Sequence, residues 1–278
     1  MAKNKWKKPT AEKYDYYARK YPTYKKTSKF LVKLAKIKKG TIIIDLACGT
    51  GVTTKEILEK TGSFGKVIGV DFSKEMLNIA KKKIKQKNVS FIHSPAEEID
   101  RVIKEKVDLI LCNSAFFVMD MDKTLKSIRK VLKDGGMFIF NLSEQYHKFP
   151  KKLKINLHFP IILKMTMQKI VVEKYKYRIK SKNKKIGLLN SKTINKILKN
   201  NSFKIDYYKT LKLKRTPKDF YEFLKIPLMT RGMFPNLNYS ERMEILDMAY
   251  KKVKKPKKFE MKWTYFVVTK NPVFNKSS

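Results

Sequence analysis

The sequence predicts a doubly wound α/β protein with a mostly parallel sheet of seven strands, elaborated by helical and stranded insertions. Three observations carry that prediction. Five short, continuously apolar runs alternate with single helical segments between Ala11 and about Asn141. The first run ends in a glycine-rich turn that opens a helix. Two further strand-like runs, Phe203–Tyr208 and Met261–Thr269, are placed to close the sheet. Apolar strands separated by single helices imply a parallel sheet covered on both faces.

The elements follow in order. Tyr14–Tyr21 and Phe30–Ile37 have helical apolar spacing. Gly40 breaks it, and Thr41–Leu46 reads as a fully buried strand. Val52–Glu59 is helical, Lys66–Asp71 a second strand, and Ser73 can cap a helix running to about Lys85. Val89–His93 and Val107–Cys112 are the third and fourth strands. Asp122–Leu132 is a helix and Gly136–Leu142 the fifth strand. Beyond it the order breaks. Gln168–Ile179 has a rough alternation that predicts a strand, and Ser191–Asn201 a helix. Thr216-Pro217-Lys218-Asp219 is a helix start, with a threonine cap, proline in the first turn and an acid three residues on. Asn238 and Glu241 repeat the capping pattern before Met243–Val253.

The chain has 278 residues, 42% of them apolar, enough for a real core despite a net charge of +41. Only seven of the 65 basic residues are arginine. A lysine excess of that kind is what an AT-rich genome writes on solvated surfaces; the competing reading is a polyanionic partner. Between Lys148 and Lys218 stand 22 basic residues and two acids, Glu173 and Asp206. The basic start, Met1–Lys8, is not followed by an apolar stretch, so no leader is expected. The longest apolar run, near Phe159–Met167, is interrupted by Lys164 and is far too short to span a bilayer. Two cysteines, Cys48 and Cys112, without a paired spacing, predict neither disulfides nor a zinc site. A reducing cytoplasm is the expected setting.

The first strand runs into Asp45-Leu46-Ala47-Cys48-Gly49-Thr50-Gly51. Glycines there let backbone approach a ligand at the carboxyl end of a parallel strand. As a dinucleotide fingerprint the turn fails, because Thr54 stands where the third glycine belongs. Strand two ends in Asp71, twenty residues after Gly51, where a carboxylate can accept both hydroxyls of a ribose.

Ile43–Gly51 resembles the first motif of class I S-adenosylmethionine-dependent methyltransferases. Val67–Ser73 with Met76-Leu77 resembles their second, and Gly135–Ile139 their fifth-strand motif. The likeness covers about residues 14–143 and the final strand, and implies the Rossmann-like methyltransferase fold with S-adenosylmethionine as cofactor. By this resemblance the backbone around Ala47, Gly49 and Gly51 and the carboxylate of Asp45 serve the methionyl end. Asp71 holds the ribose, with Phe72 and Met76 beside the adenine, and the amide of Ala96 reaches the ring. Asn113 lies near the sulfonium and contributes a backbone contact. An N-terminal helix lids the cofactor in related enzymes, which brings in Tyr14 and Tyr21. Two positions depart from the pattern. Ala47 replaces the loop's first glycine, and Ser94-Pro95-Ala96 replaces the usual Gly-Asp-Ala turn, removing a side-chain acceptor for the adenine amino group.

Methyl transfer from a sulfonium needs an in-line nucleophile and exclusion of water, and a base only if the acceptor arrives protonated. Tyr146 and His147, just after the fifth strand, are the candidate bases; His158 lies in the insertion. Phe116 and Phe117, after the fourth strand, are candidate walls of an acceptor pocket, with packing as the plainer role. Strand four ends Leu111-Cys112-Asn113-Ser114, without the Asn-Pro-Pro-Tyr signature of amino-methylating nucleic-acid enzymes. Paired glutamates of arginine methyltransferases are absent too, and both cysteines read as small buried residues. Asn113 and Asn141 stand where metal-dependent O-methyltransferases gather acids, so no metal is expected.

These readings divide the chain into an N-terminal helical lid (1–40), a cofactor-binding core (41–143), insertions covering the substrate site (144–190 and 210–258) and remaining core elements (191–209 and 259–270). The leading function is methyl transfer to O, N or C of a small-molecule acceptor. The alternatives are an RNA or tRNA methyltransferase using the lysine-rich insertion, and a non-catalytic cofactor-binding protein. Weak, non-specific nucleic-acid binding is expected in any case from the charge. No membrane span is expected.

Overall fold

The computed structural model describes residues 6–144, 147–148, 159–176 and 189–271. In chain order the helices and strands begin with α1 (Lys8–Lys20), α2 (Thr23–Leu34), β1 (Ile42–Leu46), α3 (Val52–Thr61), β2 (Lys66–Asp71), α4 (Lys74–Lys83) and β3 (Val89–His93). They continue with α5 (Ile99–Val102), β4 (Val107–Cys112), α6 (Met121–Val131), β5 (Leu132–Ser143), β6 (His147–Lys148), α7 (Phe159–Tyr175), β7 (Leu189–Asn190) and α8 (Ser191–Asn200). Last come β8 (Phe203–Arg215), α9 (Pro217–Leu224), α10 (Pro227–Arg231), α11 (Tyr239–Lys252) and β9 (Phe259–Lys270).

The main sheet has seven strands in the order β3-β2-β1-β4-β5-β9-β8. β1 pairs in parallel with β2, Asp45 opposite Gly69, and with β4, Asp45 opposite Leu111. β2–β3 and β4–β5 are also parallel, whereas β9 runs antiparallel to β5. This is the doubly wound, mostly parallel sheet that the apolar runs predict. Because β2 and β4 flank β1 on opposite sides, connections leave the carboxyl edge in opposite directions there, the place where such sheets bind ligands. A separate two-stranded sheet pairs His147 with Leu189 and Lys148 with Asn190.

The chain divides into two compact units. The larger comprises residues 22–149, 188–211 and 262–278 and holds β1–β7 and most of the main sheet. Its core joins Ile44, Val70, Ile110, Phe138 and Phe140 to Phe266 of β9, all at most 2% exposed. The smaller comprises residues 1–21, 150–187 and 212–261. Within it a buried cluster links α1 to the start of α9. The Arg215 guanidinium donates from Nε and Nη2 to both carboxylate oxygens of Asp219, at 3.0 and 2.7 Å, and Nη2 also donates to the Tyr17 hydroxyl at 2.7 Å. That hydroxyl donates to Asp219 Oδ1 at 2.6 Å. All three side chains lie at 7% exposure or less. A buried ion pair of this kind is tolerated when every polar atom is bonded.

Two sequence expectations are corrected. The alternation at 168–179 is not a strand: through Tyr175 it is the C-terminal half of α7, and 177–179 lie outside the described residues. Phe159, Leu163, Met167, Ile170 and Val171 recur at three- and four-residue intervals and are buried, so the helical period begins upstream of the stretch that looked extended. α2 covers Thr23–Leu34 rather than Phe30–Ile37, because Thr27, Ser28, Leu31 and Val32 form its buried face. Among the described residues no helix is long and apolar enough to cross a membrane.

The caps stand where the sequence places them. Ser73 accepts from the Met76 amide, Thr216 from Asp219, and Asn238 and Glu241 form a reciprocal capping box. Replacing Asn238 by alanine removes one half of that box. Urea unfolding of Asn238→Ala is expected to show a loss of about 0.5–2 kcal/mol.

Candidate functional site

The site is built at the carboxyl edge of β1, β2 and β4, all in the larger unit. The chain leaves β1 and enters α3 through a turn that needs left-handed backbone at alternate residues: φ is +57° at Ala47, +55° at Gly49 and +85° at Gly51. Glycine adopts this region freely, whereas an L-residue there costs about 1–2 kcal/mol. Ala47, the departure noted in the sequence, therefore sits under strain at a position where glycine would not. Gly51 is constrained twice, since a Cβ there would also lie 2.5 Å from Ile84 Cδ1.

Two carboxylates hold this turn. Asp71, at the end of β2, accepts from the Gly49 amide through Oδ2 and from the Ser73 amide through Oδ1, each at 2.9 Å. The Phe72 amide also favours the anion, and of the four lone-pair directions of the carboxylate one remains for another donor. Asp45, at 1% exposure, accepts from Thr54 Oγ1 at 2.6 Å. Thr54, which spoils a dinucleotide fingerprint, thus serves as the hydroxyl that holds Asp45. Burial pushes the Asp45 carboxyl up to about 7, with the charge of Asp71 adding to it and Thr54 opposing. Burial likewise raises Asp71 to about 6, against the amides of Ser73, Gly49 and Phe72 and the neighbouring His93, which favour the anion. Among the described residues, three buried side-chain hydroxyls lack a partner, and one of them, Thr50, lies in this turn.

Asn113 and Asn141 follow the Cys112–Phe140 pair by one residue in each strand. Asn141 Nδ2 donates to Asn113 Oδ1 at 2.7 Å, and Asn141 Oδ1 accepts from the Ser114 amide at 2.6 Å. Asn113 Nδ2 reaches Ser28 Oγ at 2.9 Å and Thr27 Oγ1 at 3.2 Å. Ser28 is bonded to Thr53 of α3 at 2.8 Å, and Tyr265 donates to the Thr27 carbonyl at 3.0 Å. This network ties α2, α3, β4, β5 and β9 together. The sequence shows its two asparagines at strand ends but gives no sign of the hydroxyls from α2.

The other expected residues fall as follows. Met76 is buried on the first turn of α4, Phe72 is half-buried beside it in sequence, and Ala96 is buried at the start of a short turn after β3. The Glu97 carboxylate accepts from the Asp120 amide at 3.0 Å. Phe116 is 1% exposed and packs against Phe138 and Phe140 in the core, so its ring offers no surface to an acceptor; Phe117 is half-buried. Cys48 and Cys112 are buried, and burial holds both thiols above the ordinary cysteine range. In the smaller unit Tyr14 meets Trp6 edge-on, and Tyr21 stacks on Tyr17. Tyr146 and His158 lie outside the described residues, and of His147 only the backbone pairing in β6 is described.

A turn of left-handed backbone at the switch point, closed by the carboxylate at the end of the next strand, defines a class I S-adenosylmethionine-dependent methyltransferase domain. A family model described as a methyltransferase domain matches residues 37–201, more than half of the chain, and the protein belongs to that family. It is 32% identical over 120 residues to a demethylmenaquinone methyltransferase of Staphylococcus saprophyticus, covering 43% of this chain and 52% of the relative. It is 34% identical over 102 residues to malonyl-[acyl-carrier protein] O-methyltransferase 2 of Coxiella burnetii, covering 36% and 40%. The chain spans about half the length of the curated relatives it matches. The crystal structure of the YcgJ protein of Bacillus subtilis shares the fold, with a TM-score of 0.55 at 16% identity over 89% of this chain and 99% of that one.

The raised carboxyls have a measurable signature. With folded-state values above the ordinary 3.8, both acids hold protons that the unfolded chain has released. Their contribution to stability is therefore fully present below about pH 4 and is lost as pH rises towards about 7. An Asp45→Asn protein lacks that titration. Its urea midpoint relative to wild type is expected to move upward as pH is raised from 4 to 7.5; a constant difference would show that Asp45 titrates normally.

Proposed function

We propose that this protein transfers the methyl group of S-adenosylmethionine to an O, N or C atom of a small-molecule acceptor. The observation that carries the proposal is the pairing of the β1–α3 turn with Asp71. A buried carboxylate at the end of β2, beside a turn whose left-handed backbone carries only alanine and glycine at those positions, suits a ligand with vicinal hydroxyls at one end and an amino-acid group at the other. The buried Thr50 hydroxyl adds an unmatched polar group in the same turn. The cofactor, when bound, supplies an electrophilic methyl on a sulfonium.

The chain's own residues take the following parts. Asp71 accepts from the ribose hydroxyls while keeping the Gly49 and Ser73 amides. Backbone at Ala47, Gly49 and Gly51, with Asp45 behind it, holds the methionyl end. Phe72, Met76 and Ala96 border the adenine. Asn113, whose side chain is committed to Asn141, Ser28 and Thr27, presents its backbone towards the sulfonium. Phe117 contributes to the acceptor pocket, and Tyr146 or His147 takes a proton when the acceptor carries one. An acceptor other than nucleic acid is favoured because two of the curated relatives are named for demethylmenaquinone and malonyl-[acyl-carrier protein].

The deciding experiment measures turnover of labelled S-adenosylmethionine against a metabolite extract and total RNA in parallel. Label is expected in the metabolite fraction; label confined to RNA would reverse the reading. Asp71→Ala should weaken S-adenosylmethionine binding by about 1.5–3 kcal/mol, the range for hydrogen bonds to a charged group. Unchanged affinity by calorimetry would remove the ribose assignment. Gly51→Val should abolish binding, since it loads a left-handed position and meets Ile84 at once.

A further inference from the structure

α7 is apolar on two faces. One is buried within the smaller unit, through Phe159, Leu163, Met167 and Ile170, and the helix packs along α11. The other is open to solvent: Ile161 is 43% exposed, Met165 56% and Val172 50%, with Ile162 beside them at 36%. Ile161, Met165, Gln168 and Val172 follow the i, i+4, i+7, i+11 rule and form one stripe about 16 Å long. A surface helix with one buried face ordinarily turns polar residues outward. Here the outward stripe is aliphatic, interrupted by a single neutral glutamine.

The charge around it is mostly basic. Lys169 and Lys176 are exposed beside the stripe, and the one acid of α7, Glu173, is engaged by Lys169 at 3.7 Å. Lys174 is paired with Glu244 of α11. Over residues 148–218, which contain α7, 22 basic residues face two acids, and the whole chain carries +41. Aliphatic side chains flanked by lysines suit the boundary between anionic headgroups and hydrocarbon, where the stripe enters the acyl region and the ammonium groups stay at headgroup level. RNA is served less well, because bases are held by aromatic stacking and forked hydrogen bonding, and this stripe offers neither.

We propose that the outward face of α7 docks the protein in the plane of an anionic lipid surface, peripherally and without crossing it. The test is flotation of the full-length protein with vesicles of phosphatidylcholine alone or with added phosphatidylglycerol, at low and high salt. Wild type is expected to float with the anionic vesicles and to retain part of its binding at high salt. A triple Ile161→Ser, Met165→Ser, Val172→Ser protein keeps every charge and is expected to bind about tenfold more weakly or worse, with no salt-resistant part. Its helical circular dichroism and S-adenosylmethionine affinity should match wild type. If the triple variant does not fold, Gln168→Leu extends the stripe and should bind anionic vesicles severalfold more tightly. Equal binding by the serine variant, or by the leucine variant and wild type, would overturn the proposal. So would wild type that ignores vesicles and instead retains RNA, or that self-associates through this face.

Discussion

The turn out of β1 places three left-handed residues within five positions, and the rest of the site is arranged around that demand. A turn so tight gains few hydrogen bonds of its own, so neighbouring strands supply them. Asp71 reaches across from β2 to the Gly49 amide, and Thr54 on α3 holds Asp45 in its buried position. Gly69, opposite Asp45 in the register, has no room for a side chain, because a Cβ there would lie 2.7 Å from the Phe91 ring and 3.1 Å from Cys48 Sγ. The sheet thus gives up side-chain volume on β2 to let the turn settle against it.

Burying two carboxylates side by side is the cost of that arrangement, and both respond by binding protons more tightly than free acids do. One strand further on, the problem is solved differently. Asn113 and Asn141 occupy corresponding positions at the ends of β4 and β5, and they bond to each other and to hydroxyls of α2 without any formal charge. Neutral amides carry a smaller desolvation penalty than ions while still fixing side-chain orientation. The edge of the sheet is therefore acidic at β1 and β2 and neutral at β4 and β5.

What could be read from the sequence was local. The run Ile42–Leu46, the Ser73 cap, the Asn238–Glu241 box and the terminal strands are set by neighbouring residues, and each stands in the structure within a few positions of its expected place. The turn and its two aspartates were legible because the ligand-facing edge of a parallel sheet is written in consecutive residues. What escaped was either long-range or ambiguous in period. Ser28 and Asn113 are 85 positions apart, and nothing in either neighbourhood announces the other. Phe116 follows strand four as a pocket residue would, yet it packs with Phe138 and Phe140 of the fifth strand, and Phe140 in turn with Phe266 of the last, in the core. In α7 the β-branched run Ile170-Val171-Val172 imitates a strand locally, and only the pattern begun at Phe159 reveals the helix.

The triad of Tyr17, Arg215 and Asp219 bears on how the protein is made. Tyr17 lies about 200 positions before the other two, so a chain emerging from the ribosome cannot complete the triad until most of its length has been synthesised. The larger unit waits even longer, since Tyr265 closes on Thr27 across 238 positions. Neither compact unit is finished before the last strand appears, so early helices α1 and α2 must remain soluble while lacking their eventual partners. The lysines scattered along both helices keep that waiting segment strongly cationic, which opposes its association with other unfinished copies of the same chain.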